Sequence, residues 1–97
     1  MGKALTIFDQ LGGHKFIVMT GAKYLTDHGN ALSMRIGKNS SNSNYLKITL
    51  NSLDLYDIEF CKVSKFGEKN SVKEYNNIYA ESLTDVFTSH TGMYTTL

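Results

Sequence analysis

Two apolar–polar alternations lie on either side of a short polar break: Tyr45-Leu46-Lys47-Ile48-Thr49-Leu50 and Tyr56-Asp57-Ile58-Glu59-Phe60. A period of two marks a strand with one dry and one wet face. Pairing Leu50 with Tyr56 sets Ile48 against Ile58 and Leu46 against Phe60. The same register brings Lys47 opposite Glu59 on the wet face, a cross-strand charge pair worth ~0.2–1 kcal/mol. A slip of one residue would turn the whole apolar set to solvent, so the pattern specifies its own register. Residues 51–55 make the turn, with Leu53 at its tip.

The flanks carry different periods. Ala4, Leu5, Phe8 and Leu11 fall at helical spacing, and Gly12-Gly13 end that helix. Residues 15–25 read as a first strand, with Phe16, Val18, Thr20 and Ala22 on one face and Ile17 and Met19 on the other. Gly21 then marks a bulge or a close backbone approach. Residues 26–30 are rich in turn formers. A second strand follows over 31–36, with Leu32, Met34 and Ile36 inward and Ser33 and Arg35 outward. The expected pairing sets Met34 opposite Thr20, Ile36 by Val18 and Leu32 by Ala22. The tract 38–44 has no apolar residue to bury and reads as an exposed loop.

After the hairpin, Cys61 to Phe66 prolong the fourth strand, Gly67–Asn70 turn, and 71–75 form a short fifth strand. Asn76-Asn77 offer helix-capping side chains. Ile78, Tyr79, Leu83, Val86, Phe87 and His90 form a stripe at helical period, which Gly92 closes. The last residues, 93–97, dock through apolar side chains. The fold class is α+β: a short N-terminal helix, a four- to five-stranded antiparallel sheet, and a C-terminal helix on one face.

Ninety-seven residues form one domain, 1–97, with one core and no room for a large internal cofactor. The lone Cys61 excludes an internal disulfide. No apolar run reaches the ~20 residues of a membrane span, and the N-terminal stretch lacks the form of a signal peptide. The net charge of +1 hides an asymmetry. Residues 1–53 carry six cations against two carboxylates, and 54–97 carry four against seven. Such a split suits an anionic partner for the basic half, head-to-tail self-association, or neutralisation within the fold.

Catalytic and metal chemistry finds no foothold. His14, His28 and His90 lack zinc-site spacing, and Cys61 stands on a strand beside Lys62 with no catalytic signature around it. Gly12-Gly13-His14-Lys15 resembles a phosphate loop in composition, but its glycines leave a helix and enter a strand. Asp57 and Glu59 share a solvated strand face. The reading is a non-enzyme with no cofactor and no metal.

Binding remains. Single-strand binders spread cations and aromatics across a sheet face. Lys23, Arg35, Tyr45 and Lys47 alternate outward in the expected strands, with Lys15 and Lys38 near them. Asp57 and Glu59 on the same face oppose that reading. Met19, Met34, Tyr24, Tyr56, Met93 and Tyr94 supply adaptable apolar surface for another protein, or for a second copy in a homo-oligomer.

The stretches QLGGHKFIVMTGAK, YLKITLNSLDLYDIEF, YNNIYAESLTDVF and TGMYTTL together resemble a family of small uncharacterised proteins of tailed bacteriophages and prophages. The resemblance runs from Gln10 to Leu97. It implies a phage origin and a place in the host bacterial cytoplasm, and it passes on no site residues. Strands followed by a helix also resemble the PC4-type single-strand-binding transcription cofactors, in topology only.

Overall fold

The computed structural model describes residues 3–37, 41 and 43–93. Its first element, α1 (Lys3–Leu11), buries Ile7 and Leu11 one turn apart and half-buries Phe8, while Leu5 faces solvent. The buried face is therefore rotated from the expected stripe. Gly12 and Gly13, both at positive φ, reverse the chain sharply.

The expected first strand over 15–25 is wrong in its first half. His14–Thr20 forms a second helix, α2, and only Lys23–Asp27 is strand, β1. Phe16 and Thr20 are buried one helical turn apart, and the Thr20 hydroxyl donates to the Phe16 carbonyl at 2.7 Å. Val18, expected to share a face with Phe16, is 72% exposed. Gly21 is the left-handed cap of α2, its N–H bonded to the Ile17 carbonyl. Gly37 lies against this corner and donates to the Thr20 carbonyl at 3.0 Å. A Cβ on Gly37 would stand 2.9 Å from that oxygen. Backbone reversal and this long-range contact override the strand preference of Ile17 and Val18.

The remaining strands are β2 (Ala31–Arg35), β3 (Tyr45–Leu50), β4 (Tyr56–Val63) and β5 (Lys69–Ile78). They form an antiparallel meander in the order β1-β2-β3-β4-β5. The β3–β4 register is the expected one throughout: Leu46↔Phe60, Lys47↔Glu59, Ile48↔Ile58 and Leu50↔Tyr56. The β1–β2 register is not. Lys23 opposes Arg35, Thr26 opposes Ser33 and Asp27 opposes Leu32, so neither Thr20 nor Val18 takes part. A bulge at Tyr24, at φ 58°, interrupts the pair.

Strand β5 is longer than expected and carries Asn76 and Asn77 within it instead of at a helix start. A 3-10 turn, Ala80–Ser82, leads into α3 (Leu83–Thr91), which Gly92 caps in the left-handed conformation. Leu83 and Phe87 are its buried apolar side chains. Of the C-terminal segment, Met93 packs half-buried on the core, and 94–97 lie outside the described residues.

All three helices reach the same core. Ile7, Leu11, Phe16, Leu83 and Phe87 meet the inward faces of β2, β3 and β4. Phe87 sits edge-on to Phe16 at 5.0 Å between centroids and tilted to Phe60 at 6.2 Å. The fold is α+β, with a five-stranded antiparallel sheet and helices on one face.

Candidate functional site

Helices on one face leave the other face of the sheet without a helix among the described residues. Antiparallel registers order its side chains into rows. The first row runs Lys23, Arg35, Tyr45, Cys61, Ser71 across all five strands. The second runs Thr26, Ser33, Lys47, Glu59, Glu74. The third contains Ala31, Thr49 and Asp57.

The four residues singled out from the sequence share this face. Lys23, Arg35 and Tyr45 stand side by side in one row, although the first-strand register that motivated Lys23 was wrong. Strands ~4.8 Å apart set Lys23 and Tyr45 about 10 Å from each other at the backbone. Lys47 occupies the next row, two residues along β3. One cation was missed: the Lys69 ammonium lies 5.0 Å from the centroid of the Tyr45 ring. Its place follows from the β4–β5 register, which two irregularities shift.

A cleft of about 220 Å³ adjoins the row, lined by Lys47, Thr49, Asp57, Ile58, Glu59, Glu74 and Asn76. Three carboxylates and one ammonium give it the opposite sign. Glu59 and Glu74 oppose each other directly, a like-charge pair. Asp57 is tied into the fold: one carboxylate oxygen accepts from Asn51 Nδ2 and from the Asn77 N–H, each at 3.0 Å. Asn77 itself adopts the left-handed conformation, at φ 57°. The face is thus electrically divided, cationic along the first row and acidic in the cleft.

Comparison with known protein families, curated proteins and solved structures finds no match.

Other sequence-level candidates resolve into structure. Cys61 is fully buried between Tyr45 and Ser71. Burial first, then the Glu59 carboxylate, pushes its thiol up from the ordinary range, which suppresses nucleophilic thiolate. His28 bonds Ser33 Oγ at 2.7 Å. His90 is an internal joint, not a solvent-facing base. Its ring stacks on Phe60 at 3.9 Å, Nε2 pairs with Ser43 Oγ and Nδ1 with the Tyr75 hydroxyl, both at 3.2 Å. Burial, then the Lys73 ammonium, lowers its pKa.

Ser43 corrects a further expectation. The polar tract 38–44 predicts exposure throughout, yet Ser43 is buried. Asn44 beside it bridges to Val63 through its side chain, donating at 2.9 Å and accepting at 2.7 Å. Residues 38–40 and 42, Lys38 among them, lie outside the described residues.

Gly12-Gly13 do open a helix, contrary to the strand expected there. Their amides are spent within the turn, on the Asp9 carbonyl at 3.1 Å and the Phe8 carbonyl at 3.0 Å. They are not free to cradle a phosphate. Among the described residues no group of three or more His, Cys, Asp or Glu is arranged to hold a metal, and no helix is long and apolar enough to cross a membrane.

Proposed function

We propose that this chain is a small phage-encoded binding protein of the host bacterial cytoplasm. It works without catalysis and holds single-stranded nucleic acid on the helix-free face of its sheet. The observation that carries the reading is the alignment of Lys23, Arg35 and Tyr45 in one row, with Lys69 over the tyrosine ring. Cations take phosphates and the aromatic ring takes a base. A strand of nucleic acid crosses the sheet along this row, with Lys47 on its flank. Stacking on the ring face that Lys69 occupies requires that side chain to swing aside toward a phosphate.

The test is titration of a fluorescein-labelled oligothymidine at several salt concentrations. Four cations predict a slope of log K against log salt of about −3 for a single strand. Tyr45→Ala removes the stacking platform and is expected to weaken binding by about 1–3 kcal/mol. Absence of binding at low salt refutes the reading.

A second reading, an interaction protein that self-associates and engages a host or phage protein, draws support from the acidic cleft beside the row. Glu59 and Glu74 repel a phosphate backbone, so they favour a cationic protein surface over nucleic acid at that end of the face.

A further inference from the structure

The division of charge on the helix-free face has a geometric consequence. Cations lie toward β1–β3, at Lys23, Arg35 and Lys47, and carboxylates toward β4–β5, at Asp57, Glu59 and Glu74; the β5 cation of this face, Lys69, stands at the strand's start with its ammonium by Tyr45 of β3. A surface with opposite signs on its two halves is complementary to a copy of itself turned over.

We infer that this face binds a second copy of the chain, sheet on sheet, about a two-fold axis parallel to the strands and between β3 and β4. That operator exchanges β3 with β4 of the second copy and keeps the rows at the same level. Lys47 then faces Glu59 of the second copy, and Thr49 faces its Asp57. Both contacts are made twice. A net charge of +1 adds little repulsion between the copies.

Edge pairing is a poorer solution. A two-fold at the middle of β5 sets Lys73 or Glu74 against its own copy, and the bulge at Tyr24 twists the β1 edge away from a partner. The area available on the face sets the strength. The strands run from five to ten residues, and the depth that all five share, about five or six residues, offers roughly 350–400 Å². A stable interface needs about 800 Å² per partner. The association is therefore weak, reversible and dependent on charge.

Resting on the nucleic-acid reading, the dimer covers Tyr45 and Lys47, so self-association and oligonucleotide binding exclude each other.

The experiment is sedimentation velocity on the full chain over a wide concentration range, with far-ultraviolet circular dichroism to confirm that each variant folds. The expected result is a monomer–dimer equilibrium at low salt, at least about tenfold weaker near 0.5 M salt, where screening acts within about 5 Å. Lys47→Glu and Glu59→Lys are each expected to be monomeric. Their equimolar mixture regains the dimer, because each copy then supplies what the other lacks. Lys47→Gln substitutes for the charge reversal if Lys47→Glu does not fold, and it too weakens the dimer. A wild-type chain monomeric at every concentration overturns the inference. So does a mixture that stays monomeric, or a dimer untouched by charge reversal. Oligothymidine is expected to convert dimers to one-to-one complexes. Recovery in the mixture supports the inference even where oligothymidine fails to bind, a failure that refutes the nucleic-acid reading alone.

Discussion

Helix α2 makes opposite demands on two residues that a strand would treat alike. On a strand, Phe16 and Val18 share a face, and truncating either costs packing. On α2 they point apart: Phe16 is 0% exposed and Val18 is 72% exposed. Phe16→Ala removes a fully buried ring, a change that costs about 3–5 kcal/mol. Its edge contact with Phe87 at 5.0 Å places the cost toward the upper end. For a domain of this size each kcal/mol lowers Tm by about 4–8 °C, so the variant melts at least ~12 °C below wild type. Total stability of ~5–15 kcal/mol means that the same change takes a large share of what holds the chain folded. Val18→Ala deletes little buried surface and improves helix propensity, so it shifts stability by less than about 0.5 kcal/mol, in the stabilising direction. Urea unfolding followed by circular dichroism reads both. The midpoint is expected to fall by roughly 1–3 M for Phe16→Ala and to stay in place for Val18→Ala. Comparable losses at both positions would refute the helix and restore the strand.

Two further predictions concern buried polar chemistry. The folded state lowers the pKa of His90, through burial first and Lys73 second, so the unfolded chain takes up that proton at higher pH. The stability this group contributes is complete above the ordinary imidazole value of about 6.5 and drains as pH falls below it. Chemical denaturation at pH 7.5 and pH 5 checks this, and His90→Gln is expected to flatten the dependence. Cys61 is buried with its thiol pushed up. An aromatic disulfide reagent at pH 8 is expected to label it roughly a hundredfold more slowly in the folded protein than in urea. Rapid labelling of the folded chain would contradict its burial.

The parts of the fold that could be read from residues are those where neighbours in sequence decide the structure. The β3–β4 hairpin is one, because alternation and the Lys47–Glu59 match point to a single register. The Gly92 cap of α3 is another. Elements decided by distant contacts were not legible. Ile17 and Val18 prefer strand, and only the Gly12-Gly13 reversal and the approach of Gly37 to Thr20 make that segment helical. Strand β5 lies at an edge with both faces largely wet, so it lacks the alternation that announces a strand. Ser43 reads as exposed in the sequence because its partner, His90, lies 47 residues away. The site follows the same division. Arg35, Tyr45 and Lys47 were placed by local alternation, whereas Lys69 depended on a register carried through bulges.

The central claim is that the row Lys23–Arg35–Tyr45 holds a single strand. The most direct measurement is fluorescence anisotropy of a labelled oligothymidine against wild type, Arg35→Glu and Tyr45→Ala across a salt series. Binding to wild type with a slope of about −3 is expected, with a shallower slope for Arg35→Glu and weaker binding at every salt for Tyr45→Ala. Binding that ignores both substitutions, or no binding at low salt, would contradict it.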